Sequence, residues 1–420
     1  MDSGVDENEH LYPTLHPLKL FDAAKSQGRY LYACAPMVRY SKVGDISLRI
    51  PRLPPDRPPL WHQPVLDPHD PGQGVQPLRR GPGERPEHIH QRGRRTRGPG
   101  AHHRAVRRLL PLELARASSL AAPYVSGVDL NCGCPQSWAC AESLGAALMD
   151  RRELVRDMVV ETRSRLARDG WAVGLSDEDV ESPRGRSVTV KIRVHQDLRR
   201  TMDFIDTVLG DDGACGWKRN IDWLTIHPRT RKTPSSTPID LEALEILTEK
   251  YGKRVPILVS GDVFTLRTLP YTSHLLDDGN HTPTFTSSTG PTVATTTTTS
   301  SSNSQHQQLH LPNLSGLMSA RALLANPALF AGYETCPWEA VDVFLANLAR
   351  APLILKSSVH HLTEMLGPGY GADKRALIGK RDREKLTKCG TWIDVLDCLE
   401  ELRAKAGSAT AAEKRVNNTR

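Results

Sequence analysis

The chain contains no C-x-x-C pair, no apolar run long enough to span a membrane, and few aromatics, 5% of its 420 residues. Its eight cysteines are scattered, apart from Cys132 and Cys134, so zinc-type ligand spacing is missing and no metal site is expected. Met1–His10 is acidic and polar and lacks the apolar core of a secretory leader. The expectation is a protein without membrane association and with reduced thiols, located in the cytoplasm or also in the nucleus.

Lysine is absent from residues 51–110, which hold twelve Arg against five acidic residues and so account for the whole formal net charge of +7. The remaining residues balance, and global basicity is therefore no argument for RNA binding. Residues 51–100 carry 12 of the 31 prolines, and Trp61 is the only aromatic residue in 51–110. Pro54-Pro55-Asp56-Arg57-Pro58-Pro59 excludes a helix or an inner strand, because proline fixes φ and removes a donor. Three origins fit this composition: a natural Arg/Pro-rich insertion that grips RNA, a basic localisation patch, or GC-rich coding sequence read out of frame. The last is favoured, because the segment replaces strands that the fold needs. A second biased tract at 280–312, nearly all Thr and Ser from Thr295 to Ser304, reads as a surface loop. Residues 404–420 read as a disordered tail.

Elsewhere strands alternate with helices, the pattern of a parallel α/β sheet. Tyr30–Met37 is expected to be the first strand with its turn, and further strands are expected at Gly127–Leu130, Val188–Arg193, Trp223–His227, Val255–Val259 and Leu314–Met318, with helices at Glu153–Ala167, Met202–Leu209, Leu241–Tyr251 and opening at Ala320–Leu324. Each strand ends in special residues: Pro36-Met37, Asn131 to Cys134, Lys191 and Arg193, His227, Ser260-Gly261-Asp262, and Ala320-Arg321. In a TIM barrel these ends form one active face. Each residue has a bland alternative. Lys191 could snorkel, His227 could be a core histidine, Arg321 could pair with a surface carboxylate, and Gly261 could be only a turn. Their common position favours a phosphate-bearing cofactor with a thiol beside it.

These residues resemble the tRNA-dihydrouridine synthases. The resemblance rests on Ala35-Pro36-Met37-Val38-Arg39-Tyr40-Ser41-Lys42, Asp129-Leu130-Asn131-Cys132-Gly133-Cys134-Pro135-Gln136, Val190-Lys191-Ile192-Arg193, Ile226-His227-Pro228-Arg229-Thr230-Arg231, Gly261-Asp262 and Gly316 to Pro327. The first two pieces look most like the eukaryotic subclass acting at positions 20a and 20b. The resemblance implies a TIM (β/α)8 barrel over 25–335, behind a 1–24 N-terminal segment, and a small helical tRNA-binding domain over 336–403. It implies a monomer acting on tRNA, with FMN as cofactor and NADPH or NADH as reductant. Cys134 would give a proton to uracil C5. Pro36, Met37, Val38, Lys191, His227, Ser260, Gly261, Asp262, Ala320 and Arg321 would hold the FMN, and Asn131, Arg193 and Arg229 would meet substrate. Ser260 stands where the family often has Asn. The helical domain would present an apolar face at Ala351–His361 and a charged one at Lys380–Lys385. Two barrel strands are missing from 45–115, where the family carries a Thr-Pro-Met turn and a flavin-contacting Gln, and the match resumes at Ala122. The barrel is therefore expected to be incomplete. The alternatives to the reductase are a flavin-free, inactive tRNA-binding protein and an oxidoreductase acting on free pyrimidines.

Overall fold

Alternation along six strands sorts side chains onto two faces, and that sorting builds the molecule. The structure is a computed structural model that describes residues 16–37, 99–210, 218–272, 309–370 and 374–417. The strands are β1 (Leu31–Cys34), β2 (Gly127–Cys132), β3 (Ser187–Arg193), β4 (Leu224–His227), β5 (Ile257–Ser260) and β8 (Gly316–Ser319), with β6 (Tyr271–Thr272) and β7 (Leu309–His310) forming a separate pair. The six pair in parallel in the order β1-β8-β5-β4-β3-β2 and curl into a partial barrel. Val128, Leu130, Cys132, Val188, Val190, Ile192, Ile226, Ile257 and Val259 face outward into the main hydrophobic core. The opposite face carries Asp129, Asn131, Lys191, Arg193, Thr225 and His227 toward one end. On the same face Leu258, Met318 and Trp223 cluster with Phe21 of α1 (Pro17–Ser26). The Phe21 and Trp223 rings lie 5.5 Å apart.

The outer helices, among them the short α3 (Ser137–Ala141) and α5 (Asp177–Glu181), follow local signals. In α6 (Leu198–Leu209) the Asp197 carboxylate caps the start by accepting the Arg199 N–H at 3.0 Å, and Gly210 ends the helix at φ +61°. In α7 (Leu241–Tyr251) Asp240 accepts the Ala243 N–H at 2.9 Å. Between the outer helices and the strand starts lies a fully buried ion pair. Arg163, on α4 (Arg152–Arg168), meets Asp222 at 2.8 Å with both side chains at 0% exposure. Arg163 also donates to the Asn220 carbonyl at 3.0 Å and to the Val173 carbonyl, and Asp222 accepts the Val188 N–H at 2.5 Å. One pair thus joins a helix, the start of β3 and the approach to β4.

Four sequence expectations change. The match was expected to resume at Ala122, yet residues from 99 onward form α2 (Pro99–Ala121), which packs along α4. Leu110, Leu114, Ser118 and Ala121 recur at helical spacing, and Ala115 and Ser118 are buried. Residues 51–98 lie outside the described ones. In the 280–312 tract, Leu309–His310 is a strand, because Tyr271–Thr272 offers it a parallel partner. Composition predicts disorder after Ala404. Instead α12 (Trp392–Asn417) runs through it, since Ala, Lys, Glu and Arg are strong helix formers. The strand starts also shift, because pairing begins only at Leu224 and Ile257, opposite their neighbours.

Beyond the sheet, α8 (Arg321–Ala325) leads into a second hydrophobic cluster built by α9 (Trp338–Arg350), α10 (Leu355–Met365), α11 (Lys380–Leu386) and α12. Val341, Phe344, Leu362, Leu386, Val395 and Leu399 fill it. Among the described residues no helix is long and apolar enough to cross a membrane. The expected barrel incompleteness stands: β1 and β2 are the two edges of the described sheet.

The buried pair gives a first prediction. Asp222→Ala leaves the Arg163 guanidinium uncompensated in the interior and should cost about 3–5 kcal/mol of unfolding free energy. Urea denaturation checks this, and a loss below about 1 kcal/mol would show that the pair is not a structural link.

Candidate functional site

The site begins where β2 stops. The Asn131 amide oxygen accepts the N–H groups of Gly133 at 2.9 Å and Cys134 at 3.1 Å, folding the chain over the strand end. The carbonyl of Cys134 accepts the Ala146 N–H at 2.8 Å. Gly145 has φ +56°, and a Cβ there would lie 2.6 Å from the Cys134 oxygen and 2.9 Å from its Cβ. Only glycine lets the following 3₁₀ turn (Gly145–Asp150) close against this loop. The result is a half-buried Cys134 thiol at the sheet's C-terminal edge. Cys132, two residues earlier, points to the other face, is fully buried, and has its thiol pushed well up by burial. Cys132 is a core residue, and Cys134 is the one placed for chemistry.

Strand register brings the other groups alongside. Asn131 pairs with Lys191, and Arg193 with His227. Burial pushes the Lys191 ammonium down to about 8, opposed by the charge of Asp129. Burial likewise pushes the Asp129 carboxyl up to about 6, against the Thr189 hydroxyl that donates to it at 2.7 Å and the charge of Lys191. Arg193 donates to the carbonyls of Gly133 and Thr230, both at 2.8 Å, tying the cysteine loop to the loop after β4.

His227 sits among cations. Burial first, then Lys191, Arg193, Arg229 and Arg321, push its pKa down to about 2, so the imidazole is neutral. Arg229 lies 3.1 Å from His227 Nε2, and arginine can only donate. Nε2 is therefore the acceptor and Nδ1 carries the proton. The Arg229 guanidinium, 4% exposed, also meets Asp262 at 2.5 Å and the Thr237 carbonyl at 2.6 Å. All three of its nitrogens are thus engaged inside the protein. It holds His227 and Asp262 in place. Asp262 completes this inward network by accepting the Ile239 N–H at 2.9 Å, so its carboxylate ties two loops together. Gly261 has φ +106°, and a Cβ there would lie 2.8 Å from the His227 ring. The chain can pass the imidazole only as glycine.

The remaining predicted residues lie on the same edge. Pro36 and Met37 follow β1 beside Ala35, whose N–H bonds the Ser319 carbonyl at 2.8 Å. Val38 lies outside the described residues. Ser260 ends β5 and is buried, Ala320 precedes α8, and Arg321 is exposed at its start. Arg321 lies over the Tyr370 ring at 5.6 Å, and Tyr370 stacks on Phe264 at 6.2 Å between ring centroids. Tyr370, Gly145 and Asp129 were missed from sequence. Tyr370 sits in a Gly/Pro-rich loop that signals only a turn, and Gly145 is recognisable only through its contact with Cys134. Asp129 could have been found, since it shares a strand face with Asn131.

The donor set fits an anionic, planar, phosphate-bearing cofactor. Four cations outnumber the two carboxylates of Asp129 and Asp262, a neutral imidazole offers an N–H, and a thiol stands at the edge. Among the described residues no cluster of His, Cys, Asp or Glu could hold a metal ion.

The model of the family described as Dihydrouridine synthase (Dus) matches residues 109–274, so the match starts inside α2 rather than at Ala122. A Schizosaccharomyces pombe protein named tRNA-dihydrouridine(20a/20b) synthase [NAD(P)+] is 32% identical over 291 residues, 69% of this chain and 68% of that protein. A human protein named tRNA-dihydrouridine(20a/20b) synthase [NAD(P)+]-like is 32% identical over 55% of each chain. A Saccharomyces cerevisiae protein of the 20a/20b name is 31% identical over 60% of this chain and 53% of its own. The chain thus spans about half the length of the last two. With two thirds of the fission-yeast protein covered at this identity, and the Cys134 loop, Lys191 and His227 on one barrel edge, the chain belongs to the dihydrouridine synthase family and sides with its eukaryotic 20a/20b members.

Proposed function

We propose that this chain reduces the C5=C6 bond of uridine in the tRNA D-loop, with Cys134 as the proton donor. The observation that carries the reading is the Cys134 thiol, fixed by Asn131 and Gly145 at the strand edge where Lys191, Arg193 and His227 converge. Saturating C5=C6 requires a hydride at one carbon and a proton at the other. Reduced FMN, regenerated by NADPH or NADH, supplies that hydride when bound.

The residues have separable tasks. The thiol of Cys134 gives its proton to C5. Asn131 shapes the loop that presents it, and Arg193 holds that loop against the one after β4. Lys191 and the Nδ1–H of His227 hold the flavin's polar edge, Pro36 and Met37 line its ring, and Arg321 faces its phosphate. Ser260, Gly261 and Ala320 shape the backbone cradle. The target base must leave the tRNA stack to reach the thiol. In this reading residues 25–335 are the flavin-binding unit and 336–403 grip tRNA. Lys380, Arg381 and Lys385 are exposed on α11 for that purpose.

One observation favours a second reading. Both β1 and β2 are sheet edges among the described residues, and an open barrel would bind tRNA without reducing it.

Cys134→Ala should lower dihydrouridine formation by about 10²–10⁴-fold while leaving flavin content and tRNA binding unchanged. Mass spectrometry of nucleosides from tRNA incubated with the variant reads this directly, and an undiminished rate would exclude Cys134 as the acid. A pH series gives a second expectation. Lys191 has a lowered pKa of about 8, so its charge is present below pH 8 and lost above it. Affinity for FMN should weaken as pH rises through 8, and Lys191→Met should bind more weakly with no inflection there. Fluorescence titration of FMN checks both, and an unchanged inflection in the variant would assign it to another group.

A further inference from the structure

Two thiols in the C-terminal helical region belong to no part of the site above. Cys389 lies in the turn between α11 and α12, and Cys398 lies on α12. The turn is locked by reciprocal bonds. The Asp394 carboxylate accepts the N–H groups of Gly390 at 3.1 Å and Thr391 at 2.9 Å, and the Thr391 hydroxyl accepts the Asp394 N–H at 3.2 Å. This cap holds the Cys389 sulfur 3.5 Å from the Asp394 carbonyl oxygen and 3.7 Å from that of Lys385. Cys398 is four residues beyond Asp394 on the same helix, hence on the same face. Cys389 is near enough to act on the ionisation of the Cys398 thiol. Both are free and half-buried, at the rim of the second hydrophobic cluster.

We propose that Cys389 and Cys398 form an oxidation site, a dithiol that peroxide converts to a disulfide bridging the α11–α12 turn and α12. The balance is simple. One thiol attacks the peroxide, the O–O bond breaks, and a sulfenic acid and one water result. The second thiol then attacks that sulfur, the S–S bond forms, and a second water leaves. Both sulfurs are oxidised, and one peroxide is reduced to two waters. Burial and the neighbouring Cys389 push the Cys398 thiol up, which makes Cys398 a poorer attacking group than a free thiol. The bridge closes only a ten-residue loop, the range 389–398. Its effect is to fix the turn next to the exposed Lys380, Arg381 and Lys385.

The test uses the full chain. Both cysteines fall in one tryptic peptide, Cys389–Arg403. The protein is treated with hydrogen peroxide, raised until another cysteine of the chain is oxidised, then alkylated and digested without reductant. The expected peptide is unalkylated and two hydrogens lighter than the dithiol, and reductant restores double alkylation. Oxidised wild type should also unfold several degrees higher than oxidised Cys398→Ser. A doubly alkylated peptide, or one that has gained oxygen without losing the two hydrogens, would overturn the proposal. In Cys398→Ser the same treatment should leave Cys389 alkylated or oxygenated, which confirms the partner without relying on the wild-type result.

Discussion

Strand register is the constraint on which this molecule depends. Lys191 lies opposite Asn131, and His227 opposite Arg193, because Val190 aligns with both Leu130 and Leu224. Slipping β3 by one residue would send Lys191 and Arg193 into the outer core and bring Val190 and Ile192 to the mouth. The outer apolar face prevents this, since Val188, Val190 and Ile192 are all at 2% exposure or less. The same packing that forms the core therefore aims the polar groups. The buried Arg163–Asp222 pair reinforces it by fixing the start of β3 through the Val188 N–H.

The mouth is governed by charge held near surfaces that exclude water. A cation-rich edge would be unstable with nothing to offset it, and the structure offsets it in three ways. Asp262 pairs with Arg229, Asp129 faces the charge of Lys191, and Arg193 binds two carbonyl oxygens. What remains is a positive potential suited to a phosphate-bearing ligand, with His227 kept neutral as a hydrogen-bond donor. The network also gives glycine at 261 and arginine at 229 structural tasks. One lets the chain pass the imidazole, and the other sets its tautomer.

Much of this was legible in the sequence, for reasons that differ by element. The helix Leu241–Tyr251 agrees residue for residue, because Asp240 and Gly252 punctuate it. The choice of Cys134 over Cys132 follows from Gly133 and Pro135, which mark a turn after the strand, so that Cys132 stays in the core as the last strand residue and Cys134 lies beyond it. Long-range partners were not legible. Nothing near Arg229 announces that Asp262 and Thr237 enclose it. Tyr370 reaches the mouth from the C-terminal region, and no local pattern encodes that approach. Composition misled twice in the same direction. Residues 99–110 and 404–417 are polar and basic, yet helix propensity in Ala-, Leu- and Arg-rich stretches overrides that impression.

The account stands on the strand ends forming a flavin site in this chain, with Lys191, His227 and Arg321 holding the cofactor. The absorbance spectrum of the purified chain, followed by release and identification of any bound chromophore, tests this most directly. The account predicts an oxidised flavin spectrum with FMN in roughly equimolar amount. Folded protein that carries no flavin and takes up none from added FMN would contradict it, and would leave a tRNA-binding protein with an open barrel.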